Sequence, residues 1–171
     1  KLLLATGGRP VWPEISGNQL AGVHVLRDIH QAQTLLSEVE DEQQLVIVGN
    51  SFIAMELAAA LRNQDVDVTV LSRHALPFVP QFGEEIGRHF MQLHKQNGVK
   101  FVTGEPAELQ GDKHVQRVAL KDGRTIPAHV VVFATGVEPS TDLVGDLPHE
   151  EDGSLTVDEY LRAAPDIWAV G

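Results

Sequence analysis

Gln44-Leu45-Val46-Ile47-Val48-Gly49-Asn50-Ser51-Phe52-Ile53-Ala54-Met55-Glu56-Leu57-Ala58-Ala59-Ala60-Leu61 changes character in its middle. Leu45 to Val48 is a short continuous apolar run, the mark of a strand buried on both faces. Phe52 to Leu61 is rich in strong helix formers. Between them, Gly49-Asn50-Ser51-Phe52-Ile53-Ala54 occupies the G-x-G-x-x-G/A frame. The first glycine of that frame permits a tight turn from strand to helix. The second lets a pyrophosphate approach the backbone, and the last small residue lets the helix pack close to the sheet. Ser51 replaces the second glycine; it is small, and its hydroxyl can donate to a phosphate oxygen. The helix N-terminus adds free amides and a partial positive charge, which suits a diphosphate.

The neighbouring segments extend the pattern. Val66 to Leu71 reads as a second buried strand, and about 20 residues past such a loop an NAD-binding domain tends to place a ribose-binding carboxylate. Here the chain reads Leu71-Ser72-Arg73-His74. Arg73 and His74 put cationic or donor groups where a 2′-phosphate would sit, a preference for NADPH over NADH. The competing reading of Arg73 is a solvated loop arginine. A helix at about 84–96 follows, with Ile86, Phe90, Met91 and Leu93 on its apolar side and Asn97-Gly98 as its stop signal. Val99 to Val102 is a third strand. Ala107–Leu109, Val115–Leu120 and Thr125-Ile126 are shorter and more alternating, an antiparallel meander with a hairpin at Lys121-Asp122-Gly123-Arg124. Val130 to Ala134 returns to a buried strand. Upstream, Asp28 is placed to cap a helix through Ala32, Leu35, Leu36 and Val39, after a loop marked by Pro10, Pro13 and Gly17. The expected fold is α/β: a Rossmann-like three-layer domain with a parallel sheet and right-handed crossovers, plus a small antiparallel β-meander.

Composition limits the partners. The chain has 171 residues, 43% hydrophobic and 22% charged, as in an ordinary globular protein. Its 24 acidic against 13 basic residues give a formal charge of −11, which repels nucleic-acid backbones and anionic membranes. A phosphate-bearing ligand must therefore be held locally, by backbone amides and one or two placed cations. The absence of cysteine removes disulfides, zinc–thiolate sites and redox dithiols from these residues. No apolar run approaches a membrane span, and Lys1–Gly8 has too short an apolar core for a signal peptide, so a cytoplasmic protein is expected. The chain starts on a strand, Leu2-Leu3-Leu4-Ala5, and stops on another, Ile167 to Gly171, as expected of a piece of a larger protein.

Four segments in order resemble the FAD-dependent pyridine nucleotide–disulfide oxidoreductase superfamily, most closely its ferredoxin-reductase and apoptosis-inducing-factor-like branch. They are Leu4-Ala5-Thr6-Gly7-Gly8, Val48 to Glu56, Phe133-Ala134-Thr135-Gly136-Val137-Glu138-Pro139, and Ile167-Trp168-Ala169-Val170-Gly171. The resemblance implies an NAD(P)H-binding domain at residues 28–136, flanked by parts of an FAD domain at 1–27 and 137–171. Gly49, Asn50, Ser51, Phe52 and Ile53 would line the pyrophosphate and ribose. Glu56 matches the acid that lies near the nicotinamide carboxamide or anchors the loop. Ser72 falls where NADH-using members carry their acid, and Ala54 and Ala58 match small residues of NADPH-using relatives. Gly136 would approach the nicotinamide, and Thr135-Gly136 would lie where the chain passes back towards FAD. Gly171 matches the glycine of a flavin-binding Gly-Asp pair.

The activity implied is hydride transfer from NAD(P)H to FAD and onward to an electron acceptor, protein or small molecule. Such chemistry belongs to the cofactors and needs no side chain here as nucleophile or general base. A sensing or interaction module with this fold and no turnover is the alternative, motivated by Ser51 and the missing ribose acid. No metal site is expected: of the eight histidines only His89 and His94 are close on one helix, and a spacing of five does not stack two ligands on one face. The acidic segment His149-Glu150-Glu151-Asp152 reads as a solvated loop, and Trp12 and Trp168 as packing residues.

Overall fold

A computed structural model describes residues 1–39 and 43–171. Its strands are β1 (Leu2–Leu4), β2 (Gly8–Pro10), β3 (Val23–Val25), β4 (Gln44–Val48), β5 (Asp67–Ser72), β6 (Lys100–Thr103), β7 (Pro106–Gly111), β8 (Val115–Leu120), β9 (Thr125–Pro127), β10 (Val130–Phe133), β11 (Val137–Pro139), β12 (Arg162–Ala164) and β13 (Ile167–Ala169). Among the described residues three α-helices, α1 (Ile29–Glu38), α2 (Phe52–Arg62) and α3 (Val79–Gln96), and a 3-10 turn at Asp142–Val144 lie between them. The chain divides into two compact units, residues 12–135 and residues 1–11 with 136–171.

The larger unit is built on a five-stranded sheet in the order β3-β10-β4-β5-β6, all parallel. Its apolar side chains sort by parity along each strand, as a period of two requires. Leu45 and Ile47 of β4 join Val68 and Val70 of β5 and Val130 and Val132 of β10 in a core with Leu35 of α1, Ala54, Met55, Ala58 and Leu61 of α2, and Phe90 of α3. Val46, Val48, Leu71, Val131 and Phe133 face the other way, onto Leu109, Val115, Val118 and Leu120 of the antiparallel sheet β7-β8-β9. Helices, parallel sheet and meander thus make the three layers expected. Each fully buried aliphatic side chain contributes about 1.5–3 kcal/mol relative to exposure, which is why the central strand carries no polar residue after Gln44.

Local signals explain the boundaries. Asp28 caps α1, its Oδ1 accepting from the Gln31 amide at 2.9 Å while the Gln31 side chain accepts from the Arg27 amide at 2.7 Å. The hairpin at 121–124 forms as expected, with Gly123 at φ +87°. Two details differ from the sequence reading. Val23–Val25, within a stretch read as loop, is the sheet's edge strand beside β10. In α3, which starts at Val79 and is broken at Gly83 (φ +79°), the inward residues are Gly87, Phe90 and His94, whereas Ile86 and Leu93 are exposed. Gly87 sets that face: a Cβ there would stand 2.5 Å from the Pro77 carbonyl oxygen, so only glycine lets the helix approach. His94 fills the position below, with Nδ1 2.9 Å from the Phe90 carbonyl and Nε2 3.1 Å from the Met55 carbonyl of α2.

In the smaller unit, β1 pairs with β13 in parallel, β12 completes a three-stranded sheet, and β2 pairs with β11 as an antiparallel ribbon. Arg9 of β2 pairs with Glu138 and, at 2.8 Å, with Asp142. Among the described residues no helix is long and apolar enough to cross a membrane.

Candidate functional site

The sheet order places a topological switch beside β4. From β4 the chain moves outward through α2 to β5 and through α3 to β6, then returns by way of the meander to β10 on the other side of β4. In open α/β sheets ligands bind at the carboxyl ends of the strands at such a point. Gly49 ends β4 there. It has φ +123°, and a Cβ on it would stand 2.4 Å from the Ala134 carbonyl oxygen at the end of β10. Its amide donates to the Leu71 carbonyl of β5 at 2.8 Å. A bare backbone turn therefore joins the ends of three neighbouring strands.

Ser51, the one departure from the motif, is the N-cap of α2 with φ −94°. That extended conformation suits any residue, so serine costs no backbone strain. Its hydroxyl makes no capping hydrogen bond to the helix, which leaves it and the first amides of α2 for an anionic ligand. Ala54 and Ala58 are fully buried, and Glu56 lies exposed on the opposite side of α2. Ile53 and Glu56 line a hollow of about 450 Å³ with Leu57, Ala60 and the segment Leu26-Arg27-Asp28 before α1. Phe52 is 47% exposed and heads an aromatic group, its ring 5.0 Å from Phe78 and 5.9 Å edge-on from Phe82.

Ser72, Arg73 and His74 sit at the end of β5, adjacent to this turn. Ser72 Oγ accepts from the His74 amide at 3.2 Å, and its carbonyl accepts from Gly104 beyond β6. The Arg73 side chain is 71% exposed, with one guanidinium nitrogen 3.8 Å from Glu105 Oε1. Glu105 also binds the Lys121 ammonium of the hairpin. That hydrogen bond, the Lys121 charge and the weaker Arg73 charge hold the Glu105 carboxyl below the usual carboxylate range. Arg124 reaches across to the Thr103 carbonyl at 2.6 Å and pairs with Asp122. Thr135 follows β10 at the same sheet end, exposed, whereas Gly136 (φ +123°) belongs to the other unit.

The structure thus brings Gly49 to Ile53, Ser72 to His74 and Thr135 to one end of one sheet. Glu105, Lys121 and Leu26 to Asp28 join them without having been anticipated. The signal for Glu105 was its place just past β6, since Thr103 is in register with Ser72.

A parallel sheet with a bare turn and helix N-terminus at its switch point defines a Rossmann-type dinucleotide-binding domain. All of residues 1–171 match the family model described as pyridine nucleotide-disulphide oxidoreductase, and the chain belongs to that family. It is 34% identical over 173 residues to rhodocoxin reductase of Rhodococcus erythropolis, covering 99% of this chain and 40% of that protein. It is 33% identical over 176 residues to a chloroplastic/mitochondrial monodehydroascorbate reductase of Arabidopsis thaliana, covering 99% and 36%. Among solved structures, the ferredoxin reductase for the CYP199A2 system of Rhodopseudomonas palustris superposes with a TM-score of 0.92 at 28% identity, over 99% of this chain and 43% of that one. The chain therefore spans well under half the length of these relatives.

Proposed function

We propose that this chain is the NAD(P)H-binding part of an FAD-dependent oxidoreductase that passes electrons to an acceptor protein of the ferredoxin class, and that it selects NADPH. Residues 12–135, the unit that holds the parallel sheet, would carry the nucleotide site, and residues 1–11 with 136–171 would be flanks of the FAD domain. The observation that carries the reading is Gly49: its φ of +123° and the Ala134 carbonyl 2.4 Å from any Cβ keep a side chain out of the turn where a pyrophosphate would lie. The name of the Rhodopseudomonas palustris ferredoxin reductase supports the acceptor class.

Bound together, the two cofactors supply the hydride donor and acceptor. The chain's residues bind and orient. The α2 amides and the Ser51 hydroxyl would hold the diphosphate, and Arg73 with His74 would meet a 2′-phosphate. The hollow lined by Ile53 and Glu56 would receive the amide-bearing end of the nucleotide.

The test is anaerobic mixing of the flavin-loaded protein with NADPH or NADH, following the flavin absorbance. Rapid bleaching with NADPH, slower with NADH at equal sub-saturating concentration, is the expected result. Bleaching by neither removes the enzymatic reading, and faster bleaching with NADH removes the selectivity.

A further inference from the structure

Asn50 was expected to line the pyrophosphate, yet its side chain is engaged elsewhere. An asparagine amide nitrogen has two hydrogens to donate. Asn50 Nδ2 lies 3.0 Å from the His74 carbonyl oxygen and 3.0 Å from the Leu76 carbonyl oxygen, so both are spent on one loop. That loop leaves β5 with Arg73, His74 and Ala75 exposed and re-enters the core only at Pro77 and Phe78. Phe78 sits at φ +60°, so the path back is a constrained one. Between those anchors, among the described residues, the loop's backbone is held by the His74 amide donating to the Ser72 hydroxyl and by the Asn50 amide donating to the two carbonyls, while the exposed Arg73 side chain lies 3.8 Å from Glu105.

We infer that Asn50 is a positioning residue for nucleotide selection: its side chain braces the Arg73–Leu76 loop against the phosphate turn, so that discrimination at the 2′ position depends on a residue in the glycine-rich motif. The inference rests on the reading of Arg73 as the 2′-phosphate partner. Few side chains fit the task. Aspartate has the same shape but no hydrogen to donate and would set its charge against two carbonyl oxygens. Serine has one donor and a shorter reach, and alanine has neither.

The experiment compares wild type, Asn50→Asp, Asn50→Ala, Arg73→Ala and the double variant Asn50→Ala/Arg73→Ala as flavin-loaded holoenzymes, with NADPH and NADH. Loss of two neutral hydrogen bonds should raise the KM for NADPH about tenfold, with kcat within about twofold and the KM for NADH little changed. The double variant should discriminate no worse than Arg73→Ala, because the two residues act in series. Amide hydrogen exchange should quicken across residues 73–78 in Asn50→Asp and remain unchanged in the buried strand β4, which also reports that the variant is folded. Equal weakening of NADPH and NADH would show that Asn50 serves the phosphates, and additive losses in the double variant would show that it acts apart from Arg73; either result overturns the inference. Unchanged NADPH binding in Arg73→Ala fails the 2′-phosphate reading instead, and unchanged exchange across 73–78 in Asn50→Asp fails the brace.

Discussion

The Ala134 carbonyl oxygen occupies the space that a side chain on Gly49 would need, at 2.4 Å from the Cβ position. Two strands therefore meet through the backbone of one and the missing side chain of the other. Gly49→Ala combines a disfavoured φ with a clash against main chain that cannot swing aside. It should lose about 1–3 kcal/mol of stability and bind neither nucleotide. Thermal unfolding and nucleotide titration check it; an alanine protein with wild-type Tm and affinity would refute the role given to this turn.

Glu105 stands beside Arg73 as a fixed negative charge, where the proposed 2′-phosphate would bring a second. Glu105→Gln should tighten NADPH roughly two- to fivefold, leave NADH unaltered, and lose its advantage at high salt. Calorimetric titrations at two ionic strengths measure this. A gain shared by both nucleotides would point away from the 2′ position.

His94 ties α3 to α2 inside the core, its Nε2 3.1 Å from the Met55 carbonyl of α2 and its Nδ1 2.9 Å from the Phe90 carbonyl of its own helix. His94→Ala removes those contacts and leaves a void, so a loss of about 2–4 kcal/mol is expected in denaturant unfolding. His94→Leu should recover packing and leave the two carbonyls to the helix bonds alone, a smaller loss. If alanine and leucine are equally damaging, packing is not the larger part.

The Asp158 carboxylate accepts from the Arg162 and Tyr160 amides, each at 2.9 Å, and these bonds pull its pKa below the usual range. A folded-state pKa below the unfolded one means that the folded form resists protonation. The stabilisation is thus complete above the ordinary carboxylate value and fades as pH falls through it towards the lowered one. Tm should drop as pH falls through the ordinary carboxylate range, from about pH 5 downward, less steeply in Asp158→Asn. Parallel pH profiles for the two proteins would show that this turn does not contribute.

The strand–turn–helix from Leu45 to Leu61 was legible because burial on both faces forces an uninterrupted apolar run and because one backbone angle demands glycine. The meander was legible from its alternation and the Asp122-Gly123 turn. Val23–Val25 was hidden: three residues at a sheet edge, after a Pro- and Gly-marked loop, show no period, and their partner Val131 lies far along the chain. The inward face of α3 was legible only in part. Phe90 packs on the core as read, but Ile86 and Leu93 lie outside because the face is set by an absent side chain at Gly87 and a polar one at His94, neither of which adds to an apolar pattern. The residues Gly49 to Ile53 announced themselves through the motif. The duty of the Asn50 side chain did not, since it depends on how the loop after β5 folds back, and Glu105 depended on which strand ends are neighbours.

The Val11 amide donates to the Gly136 carbonyl at 3.2 Å, so the points where residues 12–135 leave and rejoin the rest of the chain already touch. Removing that stretch, or exchanging it for another with closely spaced ends, would ask the remaining polypeptide to bridge no gap. The unit 12–135 is thereby a cassette, and protein engineers can treat residues 11 and 136 as its splice sites.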